Sequence, residues 1–307
     1  MLQNKLRWLI ITAVLMVLPS VTVQAAEMKP FMLASTMSGN VSDHIETVKK
    51  ALRDNGFEIV GEYSPYAKAH IIIVSNTGLK NIAASHERGA YAAVSRVSIT
   101  GVGEQVQIAY TNPSYMAAAY HVEGNTDLVA RKLKKALGFV KEYGASDGLD
   151  EEDLADYRYT LGMERFDDFY KLAAYDSHKE AIAAVEKGLA AHAGGASKVY
   201  RVDLPGGEQT LFGVALSSES TGNKYMDDKF IMTEIDFKDI RSSAHLPYEI
   251  LVTGGNVEAL HARFRIAINF PDLSMMGANS FMNIMPSPEA IRTALTLVAG
   301  GELQEDQ

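Results

Sequence analysis

Four methionines in the last part of the chain have the side-chain chemistry of a soft metal site. An eleven-residue stretch contains all four: Met275, Met276, Met282 and Met285. Thioether sulfur is a soft ligand that suits Cu(I), and His121 in the first half could add an imidazole. One alternative prediction is therefore a copper-handling protein with these five ligands. Methionine is also a flexible side chain common at adaptable binding surfaces, which favours an apolar groove over a metal site.

The stretch after a matched proline in each half of the chain is the predicted ligand-binding region. Pro113 and Pro271 each follow an Ile-Ala pair at the same distance. The predicted ligand-binding residues are Tyr115, Met116, Tyr120 and His121 after the first proline, and Met275, Met276, Asn279, Phe281 and Met282 after the second. Ordinary core packing would also place tyrosine and methionine there.

We predict no catalytic residue, because the serines, histidines and acids show no recognised hydrolase order. The eight histidines lack the His-Glu-x-x-His spacing of a helical zinc site. Gly101 and Gly103 lack the third glycine of a dinucleotide-binding loop. An enzyme remains an alternative prediction. It requires a histidine and a carboxylate that meet within hydrogen-bond reach in a cleft of the folded chain.

Composition excludes several classes of function. The 307 residues include 38 acidic and 29 basic side chains, and the net charge of −9 argues against binding to nucleic-acid phosphates. The chain has no cysteine, which excludes disulfides, thiolate metal sites, cysteine nucleophiles and lipid attachment through an N-terminal cysteine.

The N-terminus has the order of a secretory signal peptide. Lys5 and Arg7 precede an apolar run that ends before Pro19, and small residues follow up to Ala25. The run is shorter than the roughly 20 residues of a membrane span, so an uncleaved anchor is the weaker alternative. We predict cleavage near Ala25 and a periplasmic or secreted chain without a later membrane span. Loss of the two basic residues would change the net charge from −9 to about −11.

The first half of the mature chain, residues 27–141, alternates strand and helix patterns. Strands are predicted at 31–37, 57–63, 69–75, 93–100 and 105–110, and helices from Asp43, at about 79–87, and at 127–137. Asp43 and Glu46 have the spacing of a capping box. The β-branched run 71–74 predicts a strand that is buried on both faces.

An acidic stretch, residues 142–164, separates the two halves. Its charge predicts a solvated linker. A calcium loop built on Asp147, Asp150 and Asp153 is the sharper alternative, but the spacing does not follow the EF-hand order.

The second half, residues 165–301, is predicted to repeat the first, and 302–307 to form a polar tail. A helix is predicted after Ser177, strands at 199–204, 209–216, 247–253 and 262–270, a polar loop at 221–228, and a last helix from Ser287. In the clearest internal match, residues 107–113 correspond to 265–271. The expected fold class is α+β, with two tandem related lobes that each contain a small mixed or antiparallel sheet packed with helices.

The first half also resembles a known family. A helix leads into Asn55-Gly56-Phe57-Glu58-Ile59-Val60, and a late strand ends in Tyr110-Thr111-Asn112-Pro113-Ser114-Tyr115. This combination is similar to the family catalogued as domain of unknown function 302. The segment 245–252 resembles a strand of the same family, which implies a diverged second copy. Asn76-Thr77-Gly78 departs from the family pattern, which has a proline there. The resemblance implies a compact α+β domain and brings no reaction or catalytic residue.

The sequence therefore favours an exported, non-enzymatic, two-lobed protein. Two related lobes would form a cleft at their junction, because pockets favour such interfaces. A small or apolar ligand, or a partner protein, would bind in that cleft, with no cofactor unless copper is bound.

Overall fold

The computed structural model describes residues 27–303. The predicted signal peptide, and all of the predicted polar tail except Glu302 and Leu303, lie outside these described residues. Between residues 27 and 303, no helix is long and apolar enough to cross a membrane.

The described chain folds into strands and helices in a mixed order. The strands are β1 (Phe31–Ser38), β2 (Glu58–Tyr66), β3 (Ala69–Ser75), β4 (Ser95–Val102), β5 (Gln105–Thr111), β6 (Lys141–Tyr143), β7 (Tyr170–Ala174), β8 (Ala196–Asp203), β9 (Gln209–Leu216), β10 (Tyr248–Thr253) and β11 (Asn256–Ala259). The helices are α1 (Val41–Asp54), α2 (Thr77–Ala84), α3 (Pro113–Ala119), α4 (Asp127–Leu137), α5 (Glu151–Ala155), α6 (His178–Ala190), α7 (Asp228–Ile235), α8 (Ala262–Asn269) and α9 (Ser287–Ala299). The predicted α+β class is confirmed.

Local sequence signals explain several of these elements. Helix α1 begins one turn earlier than predicted, because Asn40 and Asp43 form its capping box. Its apolar stripe buries Val48 and Leu52, as a helical period requires. The β-branched run of β3 is buried on both faces, as predicted. Gly138, with a φ of +96°, ends α4 at the predicted position.

All eleven strands form one antiparallel sheet. Their spatial order is β6-β1-β5-β4-β3-β2-β8-β9-β10-β11-β7. The first half contributes β1 to β5, the second half contributes β7 to β11, and β6 lies at the start of the acidic stretch. The two halves meet where β2 pairs with β8 through Gly61 and Tyr200. A Cβ atom at Gly61 would lie 2.4 Å from the carbonyl oxygen of Val199, so glycine permits this close approach.

The strand order is the same in both halves. In each, the first strand borders the fifth, which is followed by the fourth, third and second. The two second strands, β2 and β8, lie side by side at the centre. The expectation of two separate lobes with separate sheets is therefore corrected, because one continuous sheet joins the halves.

A shared core fills the space between the halves on one face of the sheet. Alternate residues of β3 divide between two clusters, with Ile72 and Val74 under α1 and α4, and Ile71 and Ile73 in the shared core. The shared core also contains Tyr91, Tyr115 and Tyr120 from the first half, and Tyr200, Leu211, Leu251, Phe264 and Ile268 from the second. Apolar side chains, rather than an open cleft, thus occupy this part of the junction.

The predicted strand at 262–270 is wrong, because these residues form helix α8. Its apolar residues alternate in sequence at Phe264, Ile266 and Ile268, which gave the pattern of a strand. Nearly every side chain of α8 is buried, so the helix lacks the polar face by which a helical period is recognised. The internal match fails for the same reason, since it pairs strand β5 with a helix.

The predicted solvated linker is partly packed. Strand β6 extends the sheet beside β1, and Asp150 caps the short helix α5 through the amide of Asp153. Leu154 of this stretch is buried in the shared core, as is Phe166 two residues after its end. Among residues 27–303, no group of three or more histidine or acidic side chains could hold a metal ion. The calcium loop considered above is therefore not supported by a group of ligands in this part of the chain. The predicted polar loop at 221–228 likewise contains a single 3-10 turn and leads into α7.

Candidate functional site

Three of the predicted ligand-binding residues lie in the shared core. Tyr115, Met116 and Tyr120 are all at least 95% buried, in the shared core. Tyr115 donates a hydrogen bond to the carbonyl oxygen of Ile268 at 2.8 Å, which ties α3 to α8. The expectation that these side chains line a cleft is corrected: they hold the two halves together, and none lies on a surface.

The methionine cluster, in contrast, lies on the surface. The exposed fractions are 44% for Met275, 74% for Met276, 52% for Met282 and 61% for Met285. Backbone hydrogen bonds from Phe281 to Ser274 and from Met282 to Met275 close the loop that carries them. Phe281 itself is buried against Tyr159, with ring centroids 5.0 Å apart. The four methionines are therefore exposed, as a surface site for a soft metal would require.

His121 makes its contacts with another segment. Its Nε2 atom lies 2.6 Å from the carbonyl oxygen of Ala155, and its ring packs on Phe166 with centroids 4.7 Å apart. Its Nδ1 atom lies 4.0 Å from a carboxylate oxygen of Asp167. These contacts hold His121 beside Ala155, Phe166 and Asp167, and none of them is with the methionine loop.

A pocket lies between the halves at the end of the β2–β3 hairpin, and we call it the junction pocket. Its volume is about 500 Å³. Residues of both halves line it, including Tyr66 and Lys68 from the first half, and Lys229, Met232, Phe237 and Arg241 from the second. Of the nine predicted ligand-binding residues, Asn279 lines this pocket. The junction thus has a filled core on one side and an open pocket elsewhere.

The wall of the junction pocket combines cationic and apolar groups. Lys68 and Lys229 are exposed, and Phe237 presents an exposed aromatic ring. Asp236 is buried and accepts hydrogen bonds from the Ser242 amide and the Ser243 hydroxyl. Burial raises the pKa of Asp236 to about 6, although these hydrogen bonds and Arg241 oppose the rise. Near neutral pH the residues that line the pocket therefore include one carboxylate and three cationic side chains.

A second pocket, the serine pocket, adjoins the first. Its volume is about 310 Å³, and Ala67, Lys68 and Gly101 line both pockets. Ser64 lines the serine pocket, together with Val41, Ser42 and Ile45 at the start of α1. These three residues therefore separate two adjacent pockets.

Ser64 belongs to a chain of hydrogen bonds across the β2–β3 hairpin. Its Oγ atom lies 3.0 Å from Nδ1 of His70, whose Nε2 lies 3.2 Å from a carboxylate oxygen of Glu62. The other carboxylate oxygen of Glu62 accepts a hydrogen bond from Lys49 at 2.8 Å. A histidine and a carboxylate thus meet beside a pocket, which is the geometry that the enzyme alternative requires.

The direction of the protons follows from the partners. The ionised Glu62 carboxylate can only accept, so the neutral His70 ring carries its proton on Nε2. Its Nδ1 atom then has a free lone pair, and the Ser64 hydroxyl donates to it. Partial burial raises the pKa of Glu62, but hydrogen bonds from Lys49 and His70 outweigh it and hold that pKa below its usual value. Glu62 is therefore ionised at neutral pH.

A cluster of buried charges joins the halves. Glu249 on β10 accepts hydrogen bonds from Arg96 at 2.8 Å, from Arg265 at 3.1 Å and from the Tyr200 hydroxyl at 3.1 Å. Arg96 belongs to the first half and the other three to the second. Burial lowers the pKa of the neighbouring His245 well below its usual value, and the charges of Arg265 and Arg96 lower it further. The His245 ring is thus neutral.

The prediction that the sequence contains no Gly-x-Ser-x-Gly motif is wrong. Residues 144–148 read Gly-Ala-Ser-Asp-Gly, which matches the pattern of a nucleophilic serine. That pattern acts on a sharp strand-to-helix turn, beside a histidine. Here the Ser146 hydroxyl donates to the carboxylate of Asp272 at 3.1 Å instead. The motif therefore marks a surface hydrogen bond, whereas the Ser64 arrangement has no sequence motif at all.

Comparisons with known proteins give no further guide to this chain. No family model, no curated protein and no solved structure matches it. Any functional conclusion thus rests on the geometry of the two pockets.

Proposed function

We propose that the protein binds a small organic anion with an apolar body, such as a medium-chain carboxylate, in the junction pocket. The observation that carries this proposal is a pocket lined by both halves, with cations and apolar side chains on its wall. We also propose that the chain acts outside the cytoplasm, which rests on the N-terminal sequence alone.

The size and charge of the junction pocket support this ligand class. Its volume of about 500 Å³ lies within the range of roughly 300–1,000 Å³ that small-molecule sites occupy. The whole chain has a net charge of −9, so the three cations at the pocket are a local feature. Met232 and Phe237 supply apolar contact area, while Lys68, Lys229 and Arg241 supply donors for a carboxylate.

Titration with decanoate, followed by calorimetry, tests this proposal. Lys68→Gln/Lys229→Gln should weaken decanoate binding at least about tenfold, because each hydrogen bond to a charged group contributes about 1.5–3 kcal/mol. Both lysines are exposed, so the folded structure should tolerate their replacement. The matched control is Lys179→Gln/Lys187→Gln on α6, which makes the same change of charge away from the pocket.

Two ligands of equal length separate charge from apolarity. Decylammonium should bind much more weakly than decanoate, because its charge matches that of the lysines. Equal binding of the two, or equal weakening in the control variant, would contradict the proposal. Binding of decanoate that the pocket variant leaves unchanged would place the ligand elsewhere.

Exposure of the methionine loop favours Cu(I) binding as a second candidate function. The four sulfur-bearing side chains are 44% to 74% exposed within eleven residues. Titration with Cu(I) under anaerobic conditions should give one bound ion, lost when Met275 and Met282 are replaced by leucine. Equal uptake by the leucine variant would dismiss the loop as a copper site.

A further inference from the structure

We propose that Ser64 is a nucleophile for acyl transfer, with His70 as its general base and Glu62 as the group that positions His70. The protein would then hydrolyse esters. Three features carry this proposal: the Ser64–His70–Glu62 chain of hydrogen bonds, the serine pocket beside it, and the exposure of Ser64.

The hairpin holds the three groups in working order. Glu62 and Ser64 are two residues apart in β2, so their side chains lie on the same face of the strand. His70 lies on the neighbouring strand β3 and is 91% buried. Lys49 from α1 fixes the second oxygen of Glu62, and this leaves the first oxygen to hold the imidazole.

The proposed reaction has two steps. Ser64 Oγ attacks the ester carbonyl carbon while its proton passes to Nδ1 of His70. The carbon–oxygen bond to the alcohol then breaks, and the departing oxygen takes that proton, which leaves the acyl group on Ser64. Water then attacks the acyl carbon and gives one proton to His70. The bond from that carbon to Ser64 Oγ breaks, and Oγ takes the proton back from His70. The carboxylic acid that is released loses its remaining proton to solvent and becomes a carboxylate. Glu62 stays ionised and accepts from Nε2 throughout.

The first turn of α1 supplies donors for the negative oxygen that forms in each step. The amides of Val41 and Ser42 have no acceptor within the helix, because they belong to its first turn. Both residues line the serine pocket with Ser64. The Asp43 carboxylate in the same turn accepts hydrogen bonds from the Asn40 amide and the Ser42 hydroxyl.

The class of substrate rests on the proposed function, whereas the nucleophile does not. The two pockets share Ala67, Lys68 and Gly101, so an anion held in the junction pocket can extend to Ser64. The substrate would therefore be an ester that carries a carboxylate at the end remote from the ester bond.

A second serine–histidine pair offers a matched control. Ser197 Oγ lies 3.0 Å from Nδ1 of His192, the same distance as in the proposed site. Both residues are on the surface, and no carboxylate among the described hydrogen bonds orients that imidazole. Activation by an oriented histidine should therefore distinguish Ser64 from Ser197.

Labelling with a fluorophosphonate tests the nucleophile without any knowledge of the substrate. The purified full chain should take up one label, located on Ser64 by peptide mass spectrometry. Ser64→Ala should abolish labelling, His70→Gln should slow it at least about 100-fold, and Ser197→Ala should leave it unchanged. No label, or a label on Ser197 or Ser146, would overturn the proposal.

A cysteine placed at Ser64 gives a second readout, since the natural chain has none. Iodoacetamide should alkylate Ser64→Cys at least about ten times faster than Ser64→Cys/His70→Gln, because a neighbouring imidazole promotes the thiolate. Equal rates would show that His70 does not activate this position. Circular dichroism of each variant checks that the fold is retained.

Two esters then separate the nucleophile from the ligand pocket. The 4-nitrophenyl monoester of glutarate should be hydrolysed faster than 4-nitrophenyl butyrate, and Lys68→Gln/Lys229→Gln should remove that preference. Glu62→Gln should lower kcat with little change in KM, as expected of a positioning residue. Labelling of Ser64 without a preference for glutarate would reject the proposed ligand class alone, whereas hydrolysis that survives in Ser64→Ala would reject the nucleophile.

Discussion

Replacing Glu249 with glutamine should destabilise the whole protein and weaken the connection between its halves. The Glu249 side chain is 1% exposed and is the shared acceptor of Arg96 and Arg265, which are 3% and 1% exposed. Glutamine has nearly the same volume, so the variant changes charge and hydrogen bonding with little change in packing. Two buried guanidinium groups would then face an amide in place of a carboxylate.

The size of the effect follows from this burial. Removal of one partner of a buried ion pair costs about 3–5 kcal/mol, because the remaining charge has neither water nor a counterion. Burial lowers the pKa of Arg96, but the carboxylate of Glu249 opposes this and the net change is upward. Domains are commonly stable by about 5–15 kcal/mol, so the loss is a large part of the total.

Urea unfolding followed by circular dichroism measures this effect. The only tryptophan, Trp8, lies in the predicted signal peptide, so tryptophan fluorescence cannot report on the fold of the mature chain. The natural chain should unfold in a single transition, because the shared core spans both halves. Glu249→Gln should shift that transition to lower urea and can split it in two, since Arg96 then loses its partner across the junction.

A surface ion pair provides the control. Lys50 and Asp54 form an i,i+4 pair on α1, with side chains 75% and 57% exposed. Asp54→Asn should cost no more than about 0.5 kcal/mol, because water screens exposed charges. A cost below about 1 kcal/mol for Glu249→Gln would refute the reasoning that this cluster holds the halves together.

Two further predictions concern stability. Burial raises the pKa of Asp228 from 3.8 to about 7. The protonated side chain therefore contributes stability that is fully present below pH 4 and is lost as the pH rises through 7, by up to about 1.4 kcal/mol per pH unit. The urea midpoints measured at pH 5 and pH 8 should converge in Asp228→Asn, and an unchanged pH dependence would contradict the assignment. Gly188→Ala should destabilise the protein, because the new Cβ atom would lie 2.0 Å from the Val298 carbonyl oxygen where α6 meets α9. This clash should outweigh the helix propensity of alanine, which favours it over glycine by about 1 kcal/mol. A higher melting temperature would show that α9 moves aside at little cost.

The fold class followed from local signals, but the joining of the halves did not. Periodicity and caps located α4, α6 and α9 well, since each has one apolar stripe and a clear boundary. The pattern failed at α8, where burial on nearly all sides removes the polar face that marks a helix. The pairing of β2 with β8 depends on two strands more than 130 residues apart, and no local signal predicts such a contact.

The candidate site was beyond prediction for a related reason. The spacing of Glu62 and Ser64 places them on one face of a strand, and this much the sequence contains. The approach of His70 depends on the register of the hairpin, which shifts irregularly between Tyr63 and Tyr66. A change of one residue would carry His70 to the other face of the sheet. The methionine cluster could be recognised from its residue type. The burial of Tyr115 and Tyr120 could not be predicted, because aromatic residues suit both cores and binding sites.

The β8–β9 hairpin of the second half corresponds to the β2–β3 hairpin of the first. A hydroxyl, an imidazole and a carboxylate also meet beside it, but in a different order. Thr210 donates its only hydroxyl proton to Asp203 at 2.7 Å, and His178 contacts that hydroxyl and the carbonyl oxygen of Gly254. The hydroxyl thus lies between imidazole and carboxylate, whereas in the first half the imidazole lies between the other two. A carboxylate is a weak base at neutral pH, so Thr210 is not activated as Ser64 would be. The order of these three groups therefore confines the proposed chemistry to the first half.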